Sequence, residues 1–429
     1  MTHARRIAAV TTVLALGALS GCTAVRHPQH TASKPVVLTT SQIATLHSYG
    51  AGDTAFGLGL LSSLCASQSS GNVVISPVSI ASALGLAYLG ARGTTATAMA
   101  HTMHLPDVPL ASLEAGLRAR SELLSSLASK GVTFTQSNRI WADKSLPTER
   151  SYIAALASAY RASLAHVPLL SDPAGATKTI DAAVAKETRG HIPELLAPGA
   201  LDGSIGWVLT NALYLKAAWA QPFEHQQTTT ASFNTASGQV QAHYLNGQGY
   251  SFATDGGWTA AKLPYKGGRL SMLALLPPTG VRRPAAAGHL AGRGCSLPEA
   301  SQLTTLAARL AKTSQTAAIA LPKIKLSWSG SLSNQLKALG MGVAFTPKAN
   351  FTGISTKACC IGLVQHAATL QVGEKGTVAS AATAVGISAS AAEPEPTVLR
   401  FNRPYLLAIE DARTGEPLML AWVANPAAS

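Results

Sequence analysis

Charge is scarce in this chain of 429 residues: Asp, Glu, Lys and Arg together supply 12% of it, and aromatic residues supply 5%. No stretch holds five consecutive Lys or Arg residues, and basic and aromatic positions do not interleave. The formal net charge of +13 is therefore spread as a solvated basic surface, which argues against nucleic acid as a partner but leaves attraction to an anionic cell surface open. C-x-x-C pairs are missing, which argues against a zinc ribbon or a thioredoxin-like centre. G-x-S-x-G, H-E-x-x-H and G-x-G-x-x-G are also missing, so no metal and no cofactor are expected. Hydrophobic residues, by contrast, reach 47%, far too many for a disordered chain and ample for a large core.

Arg5 and Arg6 precede an apolar run from Ile7 to Ser20. That run is short of the roughly 20 residues a spanning helix needs, and it fits the core of an export signal. It ends in Leu19-Ser20-Gly21-Cys22, which resembles a bacterial lipobox, whose cysteine carries lipid and begins the mature chain. An ordinary signal peptide with a chance cysteine is the alternative. Residues 1–21 are thus expected to be a leader, and 22–40, rich in Pro, His, Ser and Thr, a flexible tether. Residues 41–429 are expected to form one domain. No later apolar run approaches bilayer length. The protein is expected to be exported and held on the outer face of a bacterial membrane, or extracellular. Besides Cys22 there are Cys65, Cys295, Cys359 and Cys360. An oxidising compartment leaves room for one disulfide, and the adjacent Cys359 and Cys360 bond to each other only with strain.

Periodicity predicts a helix capped by Asp53 and running through Phe56, Leu60, Leu61 and Leu64. A strand over Asn72–Ile75 and a helix over Ser76–Leu89 follow. Further helices are predicted over Leu110–Ser129, with Arg118, Arg120 and Glu122 on its polar face, over Tyr152–Ser163 and over Ala174–Arg189. Strands are predicted over Gly206–Lys216, Thr259–Leu263 and Leu270–Leu276, the last apolar enough to be buried on both faces. Val281–Ser301 reads as a loop and Leu332–Leu339 as a short helix closed by Gly340. Strands over Ile361–Val372, Tyr405–Glu410 and Leu418–Ala424 end the chain. Helices lead and strands follow, without repeats, so the fold class is α+β.

Ser76 or Ser79 with His366 is the one attractive nucleophile–base pairing. A buried hydrogen-bond cluster is the better account, because Ser-Pro at a helix start satisfies free N–H groups.

Longer motifs carry a family resemblance. NVVISPVSIASALGLAYLGARGTTATAM, LTNALYLKAAWAQPF, LPYKGGRLSMLALLP, LPKIKLSWSGSLSNQLKALGM, VQHAATLQVGEKGTVASAATAV and FNRPYLLAIEDARTGEPL occur in that order. The chain resembles a serpin, a serine protease inhibitor, from just after Thr40 onwards. The resemblance implies eight to nine helices around three β-sheets, with an exposed reactive-centre loop over about 374–400. It implies a monomer that is not an enzyme but a suicide substrate. The protease cleaves the loop, and the loop enters the central sheet and carries the acyl-enzyme away before it is hydrolysed. A non-inhibitory serpin acting as a surface binding protein is the alternative.

Position by position, the resemblance makes Glu374, Gly376, Thr377, Ala379, Ala381 and Thr383 the hinge. Alternate residues of a strand share a face, so Thr377, Ala379, Ala381 and Thr383 would point together into the sheet, and all are small. Ser76, Ser79, Asn211 and His366 match the shutter beneath the opening sheet. Trp219, Lys323 and Glu374 match the breach at its top, where a Lys–Glu pair restrains the hinge. Asn402, Arg403 and Pro404 match the strand after the loop. Family spacing from Gly376 gives Ser390–Ala391 as the scissile bond, with the register open within Ile387 to Ala392. The segment from Gly376 to Phe401 is longer than in common inhibitory members. A small residue before the cut suits an elastase-like or subtilisin-like target. The chain departs from the pattern at Val378, where an acidic residue is common, at Ala183 in place of tryptophan, and at Ala421-Trp422 in place of Gly-Arg.

Overall fold

The computed structural model describes residues 39–67, 71–160, 164–279, 295–377 and 397–428. Cys22, Ala379, Ala381, Thr383 and the Ile387 to Ala392 window with Ser390 and Ala391 lie outside them, as do the expected leader and nearly all of the tether. Eight α-helices are found among the described residues: α1 (Thr40–Ser67), α2 (Pro77–Tyr88), α3 (Gly93–Thr102), α4 (Leu110–Ser125), α5 (Arg150–Tyr160), α6 (Pro173–Glu187), α7 (Ala300–Leu310) and α8 (Ser333–Leu336). The strands are β1 (Val73–Ile75), β2 (Val132–Asp143), β3 (Ala165–Val167), β4 (Trp207–Ala218), β5 (Thr229–Thr235), β6 (Gly238–Asp255), β7 (Trp258–Pro264), β8 (Leu270–Leu276), β9 (Thr316–Pro322), β10 (Ile324–Ser331), β11 (Leu363–Gly373), β12 (Gly376–Thr377), β13 (Val398–Arg400), β14 (Tyr405–Asp411) and β15 (Glu416–Val423). This is the expected α+β class. No described helix is long and apolar enough to cross a membrane.

Hydrogen bonding links the strands into two sheets, where three were expected. The larger has nine strands and is divided at β6, whose 18 residues are long enough to serve two neighbours. β6 pairs with β9 as far as Ser251 and with β7 from Phe252, after a register shift between Gly247 and Tyr250. The expected third sheet is therefore β5, β9, β13 and the first part of β6, joined to the others through one strand. β8 is buried at all seven positions, as its unbroken apolar run requires.

The smaller sheet has the order β10-β11-β12-β4-β2-β3. β11 pairs antiparallel with β10, and β4 antiparallel with β2. Between these two halves β11 and β4 run parallel, from Leu363 opposite Val208 to Thr369 opposite Tyr214. This parallel seam holds the candidate site. Helix α2 lies under it with 11 of its 12 residues buried, because a segment apolar all round must be covered all round. Ser76 caps it by accepting the Ser79 N–H, and Pro77 takes the first turn, where a missing N–H costs nothing.

Three local expectations are corrected. Asp53 does not cap α1; it lies in mid-helix, buried, with Oδ2 2.9 Å from Arg120 Nη1. Arg120 is not on a polar surface, because it turns inward to that carboxylate and to Ser82 Oγ at 3.1 Å. Glu416 is buried in the same region, and burial together with the Asp53 charge raises its pKa well above the usual carboxylate range. The helix predicted over Leu332–Leu339 ends early, and Lys337–Met341 forms a wider turn in which Gly340 takes φ 114°. Cys65 of α1 and Cys295 form the one disulfide among the described residues, and Cys359 and Cys360 are free.

Candidate functional site: the parallel seam and the strand that enters it

At the upper end of the seam the chain turns back on itself. Glu374 and Lys375 form a two-residue turn that leads β11 into β12. Gly376 and Thr377 then lie between the parted ends of β11 and β4, antiparallel to both. The carbonyls around the turn are satisfied in sequence. Gly373 accepts the indole N–H of Trp219 at 2.9 Å, Glu374 the Phe223 N–H at 2.7 Å, and Lys375 the Trp219 N–H at 3.0 Å. Gly376 has φ 143°, and a Cβ there would stand 2.1 Å from the Ala217 carbonyl oxygen, so glycine is required twice over.

Thr377 is fully buried, and its Oγ1 lies 2.6 Å from the Tyr265 hydroxyl. Burial raises the Tyr265 pKa, so the phenol keeps its proton and can donate. The Tyr265 ring stacks on Trp219 with centroids 4.5 Å apart, and Phe223 meets Trp219 edge-on. Above them Glu374 Oε1 accepts from Lys323 Nζ at 2.8 Å and from Thr228 Oγ1 at 3.3 Å, and His225 Nδ1 stands 3.0 Å away. Partial burial pushes the Glu374 carboxyl up. The hydrogen bond from Lys323, then its own backbone N–H, His225 and the Lys323 charge outweigh that and bring it down to about 2.

Lower on the seam a second polar cluster crosses three strands. Asn138 on β2 is opposite Asn211 on β4, and Asn211 is opposite His366 on β11. The Ser76 N–H donates to His366 Nε2 at 3.2 Å. That fixes the tautomer: Nδ1 carries the proton and donates to Asn211 Oδ1. Asn211 Nδ2 donates to Ser79 Oγ at 2.5 Å and to Asn138 Oδ1, and Ser79 Oγ donates to Asn138 Oδ1 at 3.2 Å. Burial lowers the His366 pKa to about 3. The lone pair a general base would use is thus occupied by a backbone N–H, and Ser76 Oγ is occupied with the helix cap.

The structure therefore brings together Ser76, Ser79, Asn211 and His366, and separately Trp219, Lys323, Glu374, Gly376 and Thr377. Sequence reasoning missed Asn138, Tyr265, His225 and Thr228. Asn138 lies on β2, whose polar stretch Thr135–Arg139 hides the strand. Tyr265 reads as an ordinary aromatic after Leu263-Pro264, and only the bridge that pairs it with Trp219 shows its place.

A family model described as Serpin (serine protease inhibitor) matches residues 51–426. Leukocyte elastase inhibitor from Bos taurus is 31% identical over 388 residues, covering 88% of this chain and 99% of that protein. Serpin-Z1C from Triticum aestivum is 29% identical, covering 87% and 95%. Among solved structures, a thermophilic serpin, tengpin, in the native state superposes with a TM-score of 0.75 at 22% identity, over 92% of this chain and 96% of that one. Thyroxine-binding globulin complexed with thyroxine superposes with a TM-score of 0.72 at 22% identity, over 88% and 99%. The strand order, the buried helix beneath the seam and the match over most of the chain agree: this chain belongs to the serpin family.

Proposed function

We propose that the protein inhibits extracellular serine proteases by trapping them covalently as its reactive-centre loop enters the central sheet. The observation that carries this reading is the seating of Gly376 and Thr377 between β11 and β4. A strand placed there is antiparallel to both neighbours, and Gly376 and Thr377 already occupy the upper end of the parallel seam, which is one of two parallel pairings in the sheet, the other joining β2 to β3 at its edge. Each further residue would exchange a parallel pairing for two antiparallel ones, and each net hydrogen bond gained contributes about 0.5–1.5 kcal/mol. In this reading the cluster of Ser76, Ser79, Asn138, Asn211 and His366 ties α2 and the two halves of the sheet together where they must part. The cluster around Glu374 and Lys323 restrains the hinge until the loop is cut.

The bond proposed for cleavage is Ser390–Ala391, or a neighbour within Ile387 to Ala392. The small residue before it favours an elastase-like or subtilisin-like protease, and a bovine relative bears the name leukocyte elastase inhibitor. We further propose that the mature chain begins at Cys22, carries lipid there, and acts as a monomer at the outer face of the membrane.

The test is incubation with pancreatic elastase, subtilisin and trypsin, followed by denaturing electrophoresis and mass analysis of the released peptide. A stable adduct with elastase or subtilisin, and a released peptide starting within 388–393, is the expected result. Cleavage without an adduct would replace the inhibitor with a non-inhibitory binding protein.

A further inference from the structure

Two thiols stand at the other end of the seam, outside both clusters. Cys359 is exposed, Cys360 is half-buried, and their sulfurs are 2.7 Å apart. Cys360 lines a small apolar cavity with Ile140, Trp207, Leu209, Phe351 and Ile361. This cavity is the foot of the seam. The Gly362 N–H donates to the Trp207 carbonyl at 3.3 Å, and the next residue, Leu363, begins the pairing with Val208. The remaining described cysteines, Cys65 and Cys295, are already bonded to each other, so neither competes for these thiols.

We propose that Cys359 and Cys360 form a reversible thiol–disulfide site whose state sets how firmly the foot of the seam is closed. The oxidant is a low-molecular-weight disulfide. The Cys359 thiolate attacks one sulfur of it, releasing one small thiolate and leaving a mixed disulfide. Cys360 then gives up its proton and attacks Cys359 Sγ, releasing the second. The protein loses two hydrogens, and the small disulfide becomes two thiols.

The order of attack follows from placement. Burial pushes the Cys360 thiol up to about 12, with the hydrogen bond and charge of Cys359 adding to it, so exposed Cys359 reacts first. Once Cys359 is capped its charge is gone, and Cys360 is freer to ionise. Successive Cα atoms are about 3.8 Å apart, below the usual disulfide range of about 4.4–6.8 Å. The closed ring is therefore strained and opens readily, which suits a reversible site. Closing it imposes new backbone torsions two residues before the Gly362–Trp207 bond and so loosens the first pairs of β11 with β4.

The experiment equilibrates the full chain in mixtures of oxidised and reduced glutathione, blocks remaining thiols and maps the peptides by mass. The expected result is a 359–360 peptide lighter by two hydrogens, without a glutathione adduct. Reduced glutathione should reverse this at a ratio that leaves Cys65–Cys295 closed. Amide exchange at residues 208 and 362–364 should rise several-fold in the oxidised form. Cys360→Ser should stop at a glutathione adduct on Cys359. Two free thiols at every ratio, or a wild-type chain that stops at the adduct, would overturn the site. Unchanged exchange in the oxidised chain would overturn its link to the seam. Neither readout depends on whether the protein traps a protease.

Discussion

Among the described residues the buried Thr377 hydroxyl has one hydrogen-bond partner, Tyr265. A buried hydroxyl left without a partner costs about 1–3 kcal/mol, and that cost falls on the seated hinge alone. Tyr265→Phe is therefore expected to raise amide exchange at Gly376 and Thr377 by about five- to a hundredfold. Adding Thr377→Val removes the orphaned group as well and should restore most of the protection. Equal exchange in all three proteins would show that the pair does not hold the hinge. A second residue-scale expectation concerns acid. In an unfolded chain histidine takes up its proton near pH 6.5, whereas His366 does so only at about 3. Between those values the unfolded state holds the extra proton. The contribution of neutral His366 is thus complete above pH 6.5 and is lost progressively as pH falls toward 3, by about 1.4 kcal/mol per pH unit. His366→Gln can still accept from Ser76 and donate to Asn211 without titrating. Denaturant midpoints measured from pH 7 to 4 should fall less steeply for this variant than for wild type, and parallel curves would exclude His366 as the source.

Among the elements, the turn between β11 and β12 carries the most consequence. Glu374→Lys would set two ammonium groups together at Lys323 and remove the acceptor that Thr228 and His225 share. Breaking one side of a partly buried pair commonly costs more than the pair contributed, because a charge is stranded. Here the strained hinge has somewhere to go, since the seam continues below it. The expected outcome is faster loss of inhibitory activity on mild heating, with inactive monomer or loop–sheet polymer on native gels; decay no faster than wild type would clear the turn of this role. The partners of Glu374 also show what the sequence disclosed. Lys323 was identified because it lies in a long family motif, whereas His225 and Thr228 lie in a stretch without periodicity and arrive through the fold. Apolar elements such as α2, β4 and β8 were legible because one face or both are buried without exception. β2 and β6 were not, since polar residues recur along both and break the alternation of apolar and polar positions. Asp53 was misplaced because its partner, Arg120, is distant in sequence, and a buried ion pair leaves no local pattern.

For the whole molecule, the Cys65–Cys295 bond encloses a covalent ring with a sequence separation of 230 residues. β2 and β4 belong to the ring, and β10 and β11 do not. The two halves of the seam are therefore not tied to each other by it. Chain entropy assigns such a ring about 5 kcal/mol at most, and measured bonds usually give about 2–4. Cys65→Ser with Cys295→Ser is expected to lower the thermal midpoint by several degrees while leaving the stoichiometry of protease trapping unchanged; a rise in that stoichiometry would place the bond in the mechanism. Cys22→Ala, for its part, should move the protein from the membrane fraction to the medium, since stable anchoring takes more than one acyl chain and a peptide leader supplies none. Unchanged fractionation would end the anchor proposal. The two-residue turn at Glu374-Lys375 has one more effect. It feeds the proposed strand into the seam from a single end, so Gly376 and Thr377 must enter before Ala379, Ala381 and Thr383 can. Position along this stretch of sequence thus becomes order in time. In the proposed mechanism, residues just past the turn would set how soon the race against hydrolysis begins, and those farther along only how final its result is.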